Sequence, residues 1–88
     1  MKEFTLVLSS PDGDLFRGEA VMLSLRGTEG ELAIMAGHIP FLTAVVPCEG
    51  KILLADGSEK RMTLDGGLLN VSNDAVTLLS TAASFKDN

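Results

Sequence analysis

Few side chains in this sequence are of the types that carry chemistry. His38 is the one histidine and Cys48 the one cysteine. A catalytic histidine needs a nucleophile and an orienting group, and the sequence supplies no recognisable set around Gly37-His38-Ile39-Pro40. His38 therefore reads as a surface or contact residue in a loop. One histidine and one cysteine ten positions apart fall short of a zinc ligand set, and a Cys48–His38 nucleophilic pair is the weaker reading beside an incidental cysteine after Pro47. Glu29-Gly30-Glu31 sets two carboxylates around a glycine. Calcium loops need more oxygen ligands at regular spacing, so this triplet reads as a solvated turn or as a charged rim that meets a partner. Gly66-Gly67 lacks the following lysine and helix of a phosphate loop and reads as a β-turn. No catalytic, metal or cofactor site emerges.

The elements that would position these residues are strands. Between Pro11 and Gly67 no stretch free of Gly and Pro exceeds eight residues, which leaves little room for helices. The pieces between alternate with period two. Phe4, Leu6 and Leu8 share a face, as do Val21, Leu23 and Leu25, Leu32 and Ile34, Leu69 and Val71, and Val76 and Leu78. Phe41–Val46 is a short apolar run closed by Pro47. Asp56-Gly57 between Ile52/Leu54 and Met62/Leu64 is a strong hairpin signal. Seven or more short strands predict an all-β sandwich or barrel. Leu53 and Leu79 put apolar residues on second faces, which predicts a two-sheet sandwich with one outer face covered by a partner. The polar segment 80–88 is expected to start a helical turn or to fray.

Length and charge narrow the partners. Eighty-eight residues make one domain, able to bury roughly 60–65% of its unfolded surface. A lone cysteine excludes an internal disulfide and suits a reducing compartment. The net charge is −5, from twelve acids against seven bases. That balance disfavours nucleic acid and anionic membrane surfaces. Four Phe, with no Trp or Tyr, offer few stacking platforms for sugars or single strands. Phe4–Leu8 is too short for a signal-peptide core, and no run approaches the roughly 20 apolar residues that span a bilayer. Membrane association is expected only through a protein partner.

The continuous string Gly27-Thr28-Glu29-Gly30-Glu31-Leu32-Ala33-Ile34-Met35-Ala36-Gly37-His38-Ile39-Pro40-Phe41-Leu42-Thr43 closely resembles the central signature of the epsilon subunit of F-type ATP synthases, called delta in mitochondria. The flanks agree. Ser10-Pro11-Asp12-Gly13 and Phe16-Arg17-Gly18-Glu19 look like that family's N-terminus. Asp65-Gly66-Gly67-Leu68-Leu69-Asn70-Val71 and Val76-Thr77-Leu78-Leu79-Ser80-Thr81-Ala82 look like its later segments. The central string is specific, and the flanks alone are not. Ala33 stands where the family has Gly, Ala36 where it has Pro, Asp65 where Ser is common, and Cys48-Glu49 where Gly is frequent.

The resemblance implies a ten-stranded β-sandwich of two five-stranded sheets over 1–82, with 83–88 as a short polar tail. It implies a non-catalytic rotor subunit at the foot of the central stalk, without cofactors, gripping the gamma subunit and resting on the c-ring at the cytoplasmic face of the inner membrane. It inserts no residue into lipid. Carried over position by position, Glu29, Gly30 and Glu31 match the turn that meets the c-ring, and Ser10, His38 and Thr43 match positions that face gamma. Most bacterial members continue into an inhibitory helical hairpin. This sequence ends at Asn88 and lacks the family's ATP-binding motif, so Asn88 is expected to be a natural end that leaves docking and coupling as the task. The rival readings are an independent ligand-binding sandwich, disfavoured by the scarce aromatics, and a small hydrolase using His38.

Overall fold

The computed structural model describes residues 2–37 and 39–86. Ten strands follow one another: β1 (Phe4–Ser10), β2 (Gly13–Ala20), β3 (Met22–Gly27), β4 (Gly30–Met35), β5 (Phe41–Val45), β6 (Cys48–Leu53), β7 (Glu59–Leu64), β8 (Gly67–Val71), β9 (Val76–Leu79) and β10 (Ala83–Phe85). There is no helix among the described residues.

The all-β fold expected from the alternation is the fold observed. Its two five-stranded layers are halves of one curled, hydrogen-bonded path rather than separate sheets. β5-β8-β9-β1-β2 form one layer, and β4-β3-β6-β7-β10 the other. They join where Gly27 of β3 pairs with Val45 of β5. Glycine permits that junction, since a Cβ there would lie 3.0 Å from Leu32 Cδ1 and 3.3 Å from the Ala44 carbonyl oxygen. All pairings are antiparallel except β1 with β9.

Alternation places one apolar set between the layers. Leu6, Leu8, Leu69, Val71, Val76 and Leu78 from the first layer meet Leu23, Leu25, Ile34, Ile52, Met62 and Leu64 from the second in one buried cluster. Ser80 is also buried, and its hydroxyl donates to the carbonyls of Gly66 (2.6 Å) and Ala82 (3.1 Å). This satisfies it without water.

The expected Asp56-Gly57 hairpin joins β6 to β7. Ser58 N–H donates to Asp56 Oδ1 at 2.8 Å, and Gly57 takes a φ of 89° that glycine adopts freely. At the chain's end, the expected helical turn or fray is instead the short strand β10, paired with β7. Contacts beyond the ladder hold it, among them the Lys60 ammonium over the Phe85 ring at 5.9 Å. Lys86 N–H donates to the Arg61 carbonyl (2.8 Å), Lys86 Nζ pairs with Glu49, and the Phe85 ring tilts against Phe16 at 6.5 Å. An edge strand too short to show a period is thus recruited by the open edge of β7.

Candidate functional site

Strand register decides which sequence-distant residues meet. The connections β1–β2, β3–β4, β5–β6, β7–β8 and β9–β10 all lie at one end of the sandwich. Ser10 pairs with Gly13, Gly27 with both Gly30 and Val45, Val45 with Gly67, Cys48 with Leu64, and Leu64 with Ala83. The residues between these strands include Asp12, Glu29 and Asp65 and no Lys or Arg. This end is therefore acidic.

Glu29 lies in the β3–β4 turn at that end, Gly30 and Glu31 open β4 beside it, and all three are exposed. Gly30 takes a φ of 122°, which suits glycine in so tight a turn. Glu31 lies across from Arg26, with Nη2 to Oε1 at 3.7 Å and both side chains mostly in water. A pair so long and so exposed holds Glu31 weakly, leaving it available to another cation. Ser10 stands at the same end. Its hydroxyl accepts from the Asp12 N–H (3.3 Å) and donates to the Gly13 carbonyl (3.2 Å), so it shapes the β1–β2 turn. The structure thus brings Ser10 to the same end as the Glu29–Glu31 turn.

Thr43 sits mid-strand on β5, half-buried, opposite Leu69. With Glu29 and Leu42 it borders a shallow groove. Leu42 and Ala44 on either side of it are exposed and its register partner Leu69 is buried, so Thr43 lies on the inward side of β5. His38 falls outside the described residues. Cys48 is half-buried with Sγ 3.9 Å from the Arg26 carbonyl oxygen. Gly67 is the first residue of β8, and Asp65-Gly66 links it to β7, a strand it does not pair with, so the expected β-turn is instead a crossing between the two layers. Among the described residues, no group of three or more His, Cys, Asp or Glu side chains could hold a metal ion. None of their helices could cross a membrane, because there are none.

The outer face of β5, β8 and β9 is apolar. Register aligns Ala44 with Leu68 and Leu68 with Leu79, and Leu42 lies beside them on the same outward face of β5. Leu42 is 62% exposed, Leu79 50% and Leu68 44%. Three exposed leucines on adjacent strands are a patch, which isolated surface leucines are not. Of these, sequence reasoning singled out only Leu79. Leu42 and Leu68 lie 26 positions apart, and only strand pairing joins them.

Among the described residues three carboxylates are perturbed, one of them Asp56, which the hydroxyl and backbone N–H of Ser58 in the β6–β7 hairpin hold below its ordinary value. A hydrogen bond from Ser9 and the Arg17 guanidinium hold Asp14 below the ordinary aspartate value. The Lys86 ammonium does the same for Glu49, with a smaller contribution from Arg61. Asp14 and Glu49 are in exposed ion pairs within the chain, a structural use of charge, and none of the three sits in a cleft built for proton transfer.

Comparison with known proteins is consistent with this geometry. Residues 3–86 match the family described as ATP synthase, Delta/Epsilon chain, beta-sandwich domain. The chain is 35% identical over 86 residues to the ATP synthase epsilon chain of Clostridium novyi (strain NT), covering 98% of this chain and 66% of that one. Its fold is similar to a chain in the cryo-EM structure of the Euglena gracilis mitochondrial ATP synthase OSCP/F1/c-ring assembly, with a TM-score of 0.89 at 20% identity, over 94% of this chain and 53% of that one. A chain in the Tetrahymena thermophila mitochondrial ATP synthase central stalk/c-ring structure gives a TM-score of 0.77 at 15% identity, over 94% and 66%. The chain thus spans just under two thirds of the curated relative and about half of the Euglena chain.

Proposed function

This chain belongs to the delta/epsilon-chain family of ATP synthases, and we propose that it is a non-catalytic rotor subunit that fastens a gamma subunit to the c-ring. The apolar outer face of Leu42, Ala44, Leu68 and Leu79 is the gamma side, and Thr43 and His38 are assigned to the same partner. The acidic end with Glu29, Gly30 and Glu31 is the ring side, and Ser10 lies where the two surfaces approach. The complex so formed lies on the cytoplasmic face of the inner membrane, held there by protein contacts.

The observation that carries this reading is the pairing of two unlike surfaces on one small body. An apolar patch gains by burial against a subunit, and a turn cluster of one sign selects basic or amide-rich loops. Torque passes between them because a core packed at near-crystal density stores little slack. No step of bond-making is assigned to the chain. The nucleotide chemistry belongs to other subunits.

The test is Glu31→Lys in the assembled complex. Reversing a rim charge is expected to weaken ring binding about tenfold and to lower proton-driven ATP synthesis without unfolding the domain. Unchanged synthesis would remove Glu31 from the ring contact.

A further inference from the structure

The acidic end also holds a groove that none of the assigned positions except Ser10 touches. It is an open depression of about 690 Å³ beside the β1–β2 hairpin. Leu15 lines it. Phe16 pairs with Leu8 and Asp14 with Ser9, so Leu15 is an extra residue, bulged out of the ladder on the edge strand β2. A bulge interrupts an edge and re-aims a side chain. Here it leaves a leucine 41% exposed. Pro47, Ala82 and Ala83 add apolar wall, and Asp12 and Asp65 stand at the margin.

The charges at this margin are uncompensated. No Lys or Arg lines the groove. Among the described residues, neither Asp12 nor Asp65 has a side-chain hydrogen bond or an ion pair. Asp14, next to the bulge, differs because Ser9 and Arg17 already engage it. Filling the groove with an alkyl group alone would bury apolar surface but would strip water from two unpaired carboxylates. An alkyl group beside a cation gains the first and offsets the second.

We propose that this groove is a second ring-side docking site, which receives an apolar side chain flanked by a lysine or arginine from the polar loop of a c subunit. The proposal rests on the reading of the acidic end as ring-facing. The Glu29–Glu31 turn then supplies charge selection, and the Leu15 groove supplies the apolar anchor that a charged rim lacks. Two separated footholds at one end also resist rotation of the domain about a single contact, which a torque-bearing joint requires.

The test titrates the subcomplex of chain and gamma subunit onto purified c-ring in detergent. Leu15→Asp is expected to lower affinity tenfold or more, and Asp12→Lys and Asp65→Lys several-fold each, while the melting temperature of the domain stays within a few degrees because all three residues are exposed. Should Leu15→Asp fail to fold, Leu15→Ala carries the test with an expected loss of about threefold. Glu31→Lys runs in parallel. If it weakens binding while every groove variant binds as the parent does, the groove is overturned and the ring-facing end survives. If the unmutated subcomplex does not bind the ring at all, both readings fall. Loss in the groove variants with intact gamma binding supports the site.

Discussion

Leu42→Ala and Leu69→Ala separate docking from folding on two adjacent strands. Leu69 points inward and is fully buried, whereas Leu42 points outward and is 62% exposed. Full burial of a leucine is worth about 1.5–3 kcal/mol. At 62% exposure about 1–2 kcal/mol of that remains to be gained when gamma covers the face, a loss of about 5–30-fold in Kd on truncation. The entropic costs of association are common to both proteins and cancel in the comparison. Leu42→Ala leaves the monomer core untouched, so its melting temperature should move by no more than about 2 °C. Leu69→Ala opens a cavity and costs about 2–5 kcal/mol, or roughly 10–30 °C in a domain of this size. Isothermal titration against gamma and thermal unfolding followed by circular dichroism read the two effects. Equal melting temperatures for the two variants, or undiminished gamma affinity in Leu42→Ala, would refute the assignment of inner and outer faces to core and partner.

Gly67→Ala should destabilise the domain by about 3 kcal/mol or more, because the new Cβ would lie 2.2 Å from the Leu79 carbonyl oxygen and force β8 from β9. A melting temperature within a few degrees of the parent would contradict it. Glu49 is held below its ordinary value of 4.5 by Lys86, so the stability it contributes is present above that value and is lost as pH falls through the depressed folded one. Glu49→Gln should therefore flatten the acid limb of a pH-unfolding profile and speed amide exchange at Lys86, which a matched pair of acid titrations would check.

Much of the fold was legible because half-buried strands write themselves with period two. Leu23/Leu25, Leu69/Val71 and Val76/Leu78 are inward, as their spacing indicated. Two strands were illegible for opposite reasons. β2 is an edge strand whose Asp14, Arg17 and Glu19 face water and whose Leu15 bulge breaks the alternation. β10 is three residues long and takes its conformation from the edge of β7. The Glu29–Glu31 turn was visible as a string, but its company was not. That Asp12, Glu29 and Asp65 gather at one end follows from which strands pair, a tertiary fact no local window contains. The apolar face has the same origin, since Leu42, Leu68 and Leu79 are brought side by side by the β5-β8-β9 register.

The proposed task of this chain is to join a stalk subunit to a ring. Co-expression with the gamma subunit and the c-ring, followed by size exclusion with mass determination, measures it directly. One peak containing all three is expected, from which the Leu42→Ala chain is partly lost. A chain that elutes alone while gamma and the ring are both folded would contradict it.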